Sequence, residues 1–298
     1  MVTDTPLKFA VIGHPIAHSR SPAIHAAFAD QLGIRLVYER IDSPPTDFAL
    51  QVHTFFNNAG VGLNVTVPFK EQAWQMARDH LSKRALDAGA VNTLWMVNNK
   101  IHGCNTDGIG LVNDLKRLGM PLEQANILLV GAGGAARGVL GPILAAGCSH
   151  IRVINRTAAR AHELVAQWIA THPQDTPRLS AGSLSDTDLT NKGDQSIEKQ
   201  SHFDLVINAT ASSLQGERVP LADSVFAPGV YVYDMMYGKD LTAFLKQATQ
   251  AGSNRVADGL GMLVSQACES FRIWHGKTPN PEPVIAQIRA DLNAATVR

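Results

Sequence analysis

The chain has 298 residues, which at about 150 residues per domain implies two domains with cores of their own. Charged residues make up 17% and hydrophobic ones 45%, and 26 basic side chains balance 26 acidic ones. Without a net basic field, nucleic acid and anionic lipid are excluded as bulk targets.

Residues 8–13 are a short apolar run, read as a buried strand. Ser21 and Pro22 open an amphipathic segment ending at Gly33, with proline at the first helical position. A strand at 36–41, a helix at 46–58 stopped by Gly60, a strand at 62–67 and a helix at 69–79 follow. Residues 91–97 and 101–104 form a hairpin turned by Asn98-Asn99-Lys100, and 107–118 is helical. A second alternation starts with a strand at 127–130. It continues with a helix at 134–146, a strand at 152–154, a helix at 158–170 and strands at 205–208 and 230–233. Pro142 is expected to kink or shorten the helix that holds it. This alternation predicts an α/β fold of parallel sheets with helices on both faces. Helices at 259–274 and 283–294 have no strand to follow and are expected to pack on the N-terminal domain. Residues 171–202, polar and aperiodic, read as a mobile surface insertion with a short helix near 183–189.

The longest apolar region, 127–146, holds Arg137 and five glycines, which excludes a membrane span. Cys104, Cys148 and Cys268 are widely spaced with no CxxC pair. The first residues lack the basic and apolar stretches of a secretory signal. A reduced, cytoplasmic chain is expected.

The strand at 127–130 runs into Gly131-Ala132-Gly133-Gly134-Ala135-Ala136, the G-x-G-x-x-G/A form between a strand and a helix. Gly131 allows the tight turn, Gly133 lets a pyrophosphate approach the backbone, and Ala136 permits close helix packing. The helix N-terminus then offers unpaired N–H groups to phosphate. About 20 residues further on, an NAD site places a carboxylate on the ribose 2′-hydroxyl. Asn155, Arg156 and Thr157 stand there instead, with Arg160 a turn later. Two guanidinium groups suit a 2′-phosphate, which a carboxylate would repel, so NADP is expected.

In the first half, Ser19 and Ser21 precede a helix N-terminus, a place suited to a carboxylate or to plain capping. Asn64, Thr66 and Lys70 fall at the C-terminal end of a strand, where open α/β sheets bind ligands. Asn92, Thr93, Asn105, Thr106 and Asp107 interrupt apolar hairpin strands with polar groups. His14 and His18 have a metal-like spacing, but Pro15 and Pro22 deny a continuous helix, and His162-Glu163 lacks the second histidine of a zinc protease. No metal site is expected.

The blocks HPIAHSRSP (14–22), NVTVPFK (64–70), GAVNT (89–93), NTDG (105–108), GAGGA (131–135), NRT (155–157), DMMYG (234–238) and DGLGMLVSQA (258–267) occur in that order. Together they resemble the shikimate dehydrogenase family, and only 171–202 lies outside the resemblance. It implies reversible reduction of 3-dehydroshikimate to shikimate with NADPH, in the biosynthesis of chorismate and aromatic amino acids. It also implies an α/β substrate-binding domain of residues 1–106 plus 240–298, completed by C-terminal helices. A Rossmann-type NADP-binding domain, 107–239, is inserted between them. Carried over, Lys70 is the acid/base residue paired with Asp107. Ser19 and Ser21 hold the substrate carboxylate, and Thr66, Asn92, Asp107 and Gln266 its carboxylate side or ring hydroxyls, with Tyr237 facing it. Gly131, Ala132, Gly133, Gly134 and Ala135 cradle the pyrophosphate, and Asn155, Arg156, Thr157 and Arg160 surround the 2′-phosphate. Met235 and Gly259 line the nicotinamide. Lys83 departs from relatives that carry an acid there, and no role is assigned to it. The chemistry needs one positioned acid/base beside the hydride-accepting carbon. The expected partner is a small molecule, and the chain a monomer or homodimer. A quinate/shikimate dehydrogenase and a non-catalytic NADP sensor are the alternatives.

Overall fold

A computed structural model describes residues 5–185, 203–212 and 216–294. In chain order, the first half contains β1 (Leu7–Gly13), α1 (Ser21–Leu32), β2 (Leu36–Asp42), α2 (Phe48–Asn57), β3 (Gly60–Val65) and α3 (Lys70–Met76). Then come α4 (Lys83–Ala88), β4 (Thr93–Val97), β5 (Lys100–Cys104) and α5 (Asp107–Arg117). The second half begins with β6 (Asn126–Val130), α6 (Gly134–Ala145), β7 (His150–Asn155), α7 (Ala158–Thr171), β8 (Leu179–Ser183) and β9 (Leu205–Asn208). It ends with β10 (Tyr231–Asp234), α8 (Ala243–Gln250), β11 (Arg255–Asp258), α9 (Leu260–His275) and α10 (Pro281–Ala294). Two compact units result, one of residues 1–110 and 263–290, the other of 111–262 and 291–298.

The first unit is built on a five-stranded sheet in the order β2-β1-β3-β4-β5. β1 pairs in parallel with β2 and β3, while β3, β4 and β5 pair antiparallel. The sheet is therefore mixed, because the β4–β5 hairpin closes through a two-residue turn. Asn98 and Asn99 sit there at φ 50° and 59°, the left-handed conformation such a turn requires. Alternation along β1 decides what covers each face. Ala10 and Ile12 pack with Phe48, Val52 and Phe69 of the α2–α3 side, where Phe48 stacks on Phe69 at 4.8 Å. Phe9 turns the other way, onto Trp274 at 4.9 Å. The C-terminal helices do join this unit: the Trp274 indole donates to Leu94 O at 3.2 Å, and Gln31 exchanges two hydrogen bonds with Asn280.

The second unit is a six-stranded, all-parallel sheet in the order β11-β10-β9-β6-β7-β8. Counted within the unit, that is 3-2-1-4-5-6, the strand order of the Rossmann dinucleotide fold, with its switch point between β6 and β9. β6 is buried on both faces: Ile127 and Leu129 enter the core under α6 and α7, Leu128 and Val130 that under α8.

Three expectations need correction. Residues 240–262 belong with the second unit, since Phe244, Leu245 and Ala248 fill the core beside Val232 and β11 pairs with β10 as a sixth strand. α6 runs unbroken to Ala145 with Pro142 inside it, and Ala146 N still reaches Pro142 O at 3.0 Å. The polar segment from 171 is ordered in its first part. Residues Pro173–Arg178 make a 3-10 turn and β8 adds an edge strand on β7. Side chains hold it: the Trp168 indole donates to Asp175 at 2.9 Å, and Arg178 donates to Leu144 O and Cys148 O at 2.7 and 2.8 Å. Ser183 ends β8 rather than opening a helix, and residues 186–202 lie outside the described residues.

Candidate functional site

In the first unit, polar side chains gather where β1, β3 and β5 end. Ser19 and Ser21 sit on either side of Arg20, the N-cap of α1, whose side chain makes no capping bond. The Ser19 hydroxyl donates to Ser21 Oγ at 3.2 Å and accepts the Ser21 N–H at 3.3 Å. Arg40 fixes this loop by donating twice to Ser19 O, at 2.7 and 3.1 Å. Thr66 follows β3, its N–H on Ile12 O and its carbonyl accepting from Phe69 N. His14 is paired with Asp42 at 2.7 Å. Among the described residues, no group of three His, Cys, Asp or Glu side chains could hold a metal.

Lys70 begins α3 and Asp107 begins α5, and their side chains meet at Nζ–Oδ2 2.6 Å. The other Asp107 oxygen accepts from Asn92 Nδ2 at 2.9 Å. Asn92 cannot flip, because its Oδ1 accepts the Thr106 N–H and the Thr93 hydroxyl, both at 2.9 Å. Asn105 Oδ1 accepts the Asp107 N–H at 3.0 Å, and Gln266 Oε1 lies 3.3 Å from Asn92 Nδ2. The carboxylate is thus held from its backbone and from one oxygen, leaving the second to the lysine. Side-chain exposures of 31% for Lys70 and 22% for Asp107 leave the pair open to a small ligand.

Behind this row lies a buried layer. Asn64 Oδ1 accepts the Tyr38 hydroxyl at 2.6 Å, while its Nδ2 donates to Asn92 O and Ser270 Oγ, both at 3.1 Å. Burial raises the Tyr38 phenol well above its ordinary pKa, against a smaller lowering from the Ser21 hydroxyl. Tyr38 and Ser270 escape sequence reading. Tyr38 looks like one more aromatic on a strand, and the only signal for Ser270 is its place one helical turn after Gln266.

The second unit carries the other cluster, at the C-terminal ends of β6, β7, β9 and β10. Gly131 has φ 112°, and its N–H reaches Ile154 O at 2.7 Å, drawing the end of β6 against β7. Gly133 is the N-cap of α6, which no side chain caps, and a Cβ on Gly133 or Gly134 would meet nothing within 4 Å. The α6 N-terminus is thus uncapped and uncrowded at Gly133 and Gly134, as a bound pyrophosphate would require. Asn155 ends β7, its Nδ2 on Thr157 O at 3.0 Å. Arg156 and Arg160 are exposed, and among the described residues neither is in an ion pair. Two uncommitted guanidiniums with no acid at the end of β7 fit a 2′-phosphorylated dinucleotide. Met235 is buried after β10, and Gly259 N donates to Met236 O at 3.1 Å. A Cβ on Gly259 would strike the Met235 carbonyl, so only glycine fits. Tyr237 belongs to this second unit, two residues beyond Met235.

Comparison with known proteins finds three family descriptions along the chain. "Shikimate dehydrogenase substrate binding domain" matches residues 11–94, "Shikimate / quinate 5-dehydrogenase" 114–181 and "Shikimate 5'-dehydrogenase C-terminal domain" 259–289. A relative from Bordetella petrii named shikimate dehydrogenase (NADP(+)) is 54% identical over 295 residues, covering 99% of each chain. Among solved structures, the Ael1 enzyme of Pseudomonas putida aligns with a TM-score of 0.84 and 40% identity, over 94% of this chain and 97% of that one. Shikimate 5-dehydrogenase of Thermus thermophilus, in complex with NADP(H) and shikimate, aligns with a TM-score of 0.80 and 33% identity, over 96% and 100%.

Proposed function

The chain belongs to the shikimate dehydrogenase family, and from that premise we propose that Lys70 is the acid/base residue of a reversible, NADPH-dependent reduction of 3-dehydroshikimate to shikimate. It is an NADP-dependent oxidoreductase of aromatic amino acid biosynthesis, on the route to chorismate. The observation that carries the role of Lys70 is its partly open ion pair with an Asp107 locked by Asn92.

Bound NADPH supplies the hydride. As the ring carbonyl oxygen gains charge, the Lys70 ammonium gives it a proton, and in the oxidative direction Lys70 takes the hydroxyl proton back. Asp107 keeps Nζ in place through either transfer and accepts a ring hydroxyl. Ser19 and Ser21 hold the substrate carboxylate, assisted by Thr66, Asn92 and Gln266, and Tyr237 faces the substrate. Gly131, Ala132, Gly133, Gly134 and Ala135 hold the pyrophosphate by backbone N–H groups and the α6 dipole. Asn155, Arg156, Thr157 and Arg160 take the 2′-phosphate, and Met235 and Gly259 the nicotinamide.

We propose a cytoplasmic location, a reading that the three free, buried cysteines support. Among the described residues, no helix is long and apolar enough to cross a membrane. A monomer or homodimer is expected, which sedimentation decides. A non-catalytic NADP sensor has no use for the Lys70–Asp107 pair. The test is NADP+ reduction with shikimate, repeated with quinate and with NAD+. Turnover only with shikimate and NADP+ supports the assignment. Equal turnover of quinate supports the quinate/shikimate enzyme, and none at all the sensor.

A further inference from the structure

The second unit contains a buried polar chain that none of the roles above uses. Asn208 and Asp234 end the adjacent strands β9 and β10, stand opposite each other in the parallel register, and are both fully buried. Asn208 Nδ2 donates to Asp234 Oδ1 at 3.0 Å. Asn208 Oδ1 accepts the Thr210 hydroxyl at 2.7 Å and the Thr210 N–H at 3.1 Å, which fixes the amide's orientation.

Asp234 gathers further donors. Its Oδ1 accepts the Met236 N–H at 3.1 Å, and its Oδ2 the Thr242 hydroxyl at 2.6 Å. A carboxylate out of water is tolerated only when such donors surround it. These come from three separate segments: the end of β9, the turn after β10 and the N-cap of α8. The first two border the proposed dinucleotide site. A Cβ on Gly131 would approach Thr210 Cγ2 to 3.0 Å, so Thr210 stands against the phosphate-binding turn. Met235 N donates to Asn208 O at 3.0 Å, and Met236 O accepts from Gly259 at 3.1 Å. Asp234 therefore holds the turn after Met235 through the Met236 N–H, and that turn's Met236 carbonyl in turn holds Gly259.

We propose that Asn208, Asp234 and Thr242 are positioning residues that set the turn from Met235 to Tyr237 against the nicotinamide end of NADP. This rests on the assignment of an NADP site in the second unit. The network acts on one end of the dinucleotide and leaves the adenosine 2′-phosphate end, at Arg156, untouched.

The experiment compares binding of NADPH with binding of 2′,5′-ADP, which carries the 2′-phosphate but no nicotinamide. Full-length wild-type protein, Asp234→Ala, Thr242→Val and Thr242→Ser are titrated with both by calorimetry. Asp234→Ala is expected to weaken NADPH roughly tenfold, which equals about 1.4 kcal/mol, and 2′,5′-ADP less than about twofold. Thr242→Val removes a single donor and should shift NADPH alone by about threefold, with Thr242→Ser restoring it. The threonine pair is decisive even where Asp234→Ala folds poorly. Equal losses for both ligands, or unchanged NADPH binding in both variants, would overturn the proposal. Wild-type protein that bound neither ligand would remove the NADP assignment itself, a result separable from either.

Discussion

Lys70 and Asp107 make an ion pair as short as many structural ones, but its surroundings differ. The Arg117–Asp114 pair at 2.7 Å has a carboxylate with no exposed surface, whereas Lys70 keeps 31% of its side chain open. A partly solvated pair contributes about 0–1 kcal/mol to folding, so losing it should not unfold the chain. Lys70→Ala is therefore expected to melt like wild type while kcat falls by about 10²–10⁴, with a modest change in KM for shikimate. Steady-state kinetics decide this, and a near-normal kcat with a large KM would reduce Lys70 to a binding residue. Asp107→Asn should lower kcat and raise KM together, because in the proposed mechanism that carboxylate would both orient the lysine and hold a ring hydroxyl. At the proposed cofactor end, Arg156 is exposed and has no acidic partner among the described residues. Arg156→Ala should cost NADPH binding about 1.5–3 kcal/mol, the range for a hydrogen bond to a charged group, and leave NADH nearly unchanged. Equal losses for the two cofactors would mean that the arginine supports the fold.

At the scale of elements, legibility followed the strength of the local signal. β9 lies where its Leu-Val-Ile-Asn run places it, and α1 starts at Ser21 because Ser-Pro leaves little choice. Lys70, Asp107 and the Gly131 turn were readable because their neighbours form blocks with a defined place at strand ends. β8 was not readable: Leu-Ser-Ala-Gly-Ser has one large apolar residue, and its order comes from partners distant in sequence. β11 and α8 were missed for a related reason, since only the pairing of Val256 with Val232 shows that the sheet continues past β10. Pro142 does not break α6, because a proline late in a helix removes one N–H bond while the rest of the last turn can still close. Arg178 supplies the test for this region. Arg178→Ala removes the hydrogen bonds this guanidinium gives to the Leu144 and Cys148 carbonyls and to Asp175, and should destabilise the protein by about 1–3 kcal/mol. Urea unfolding measures it, and an unchanged midpoint would mean that β8 is held by its ladder alone.

For the whole molecule, the net charge of zero leaves pH to act through particular groups. The first unit keeps two neutral histidines in its aromatic core. His25 stacks on Tyr38 at 4.4 Å, and His275 lies 4.2 Å from Phe271. Burial, and then the neighbouring His275, lower His25 from 6.5 to about 3. Burial, and then Lys277, lower His275 to about 4. Burial also lowers His102 and His150 in the same direction. Above pH 6.5 these rings are neutral in both folded and unfolded chains and cost nothing. As pH falls below 6.5, the unfolded chain takes up protons that the folded core refuses, so stability must fall with pH. The window runs from 6.5 down toward 4.5, before most carboxylates titrate. Across it His25 alone should remove about 2 kcal/mol, at about 1.4 kcal/mol per pH unit and proton, and the less buried histidines add smaller amounts. Burial raises the Asp114 carboxyl and works in the opposite sense, but it engages mainly at the acidic end of the range. Denaturant unfolding at pH 7.0, 6.0, 5.0 and 4.5 is expected to show a steadily falling midpoint. His25→Phe keeps a ring against Tyr38 and removes the titrating nitrogens, so its midpoint should fall less steeply than wild type. Parallel pH profiles for the two proteins would place the acid sensitivity outside this core.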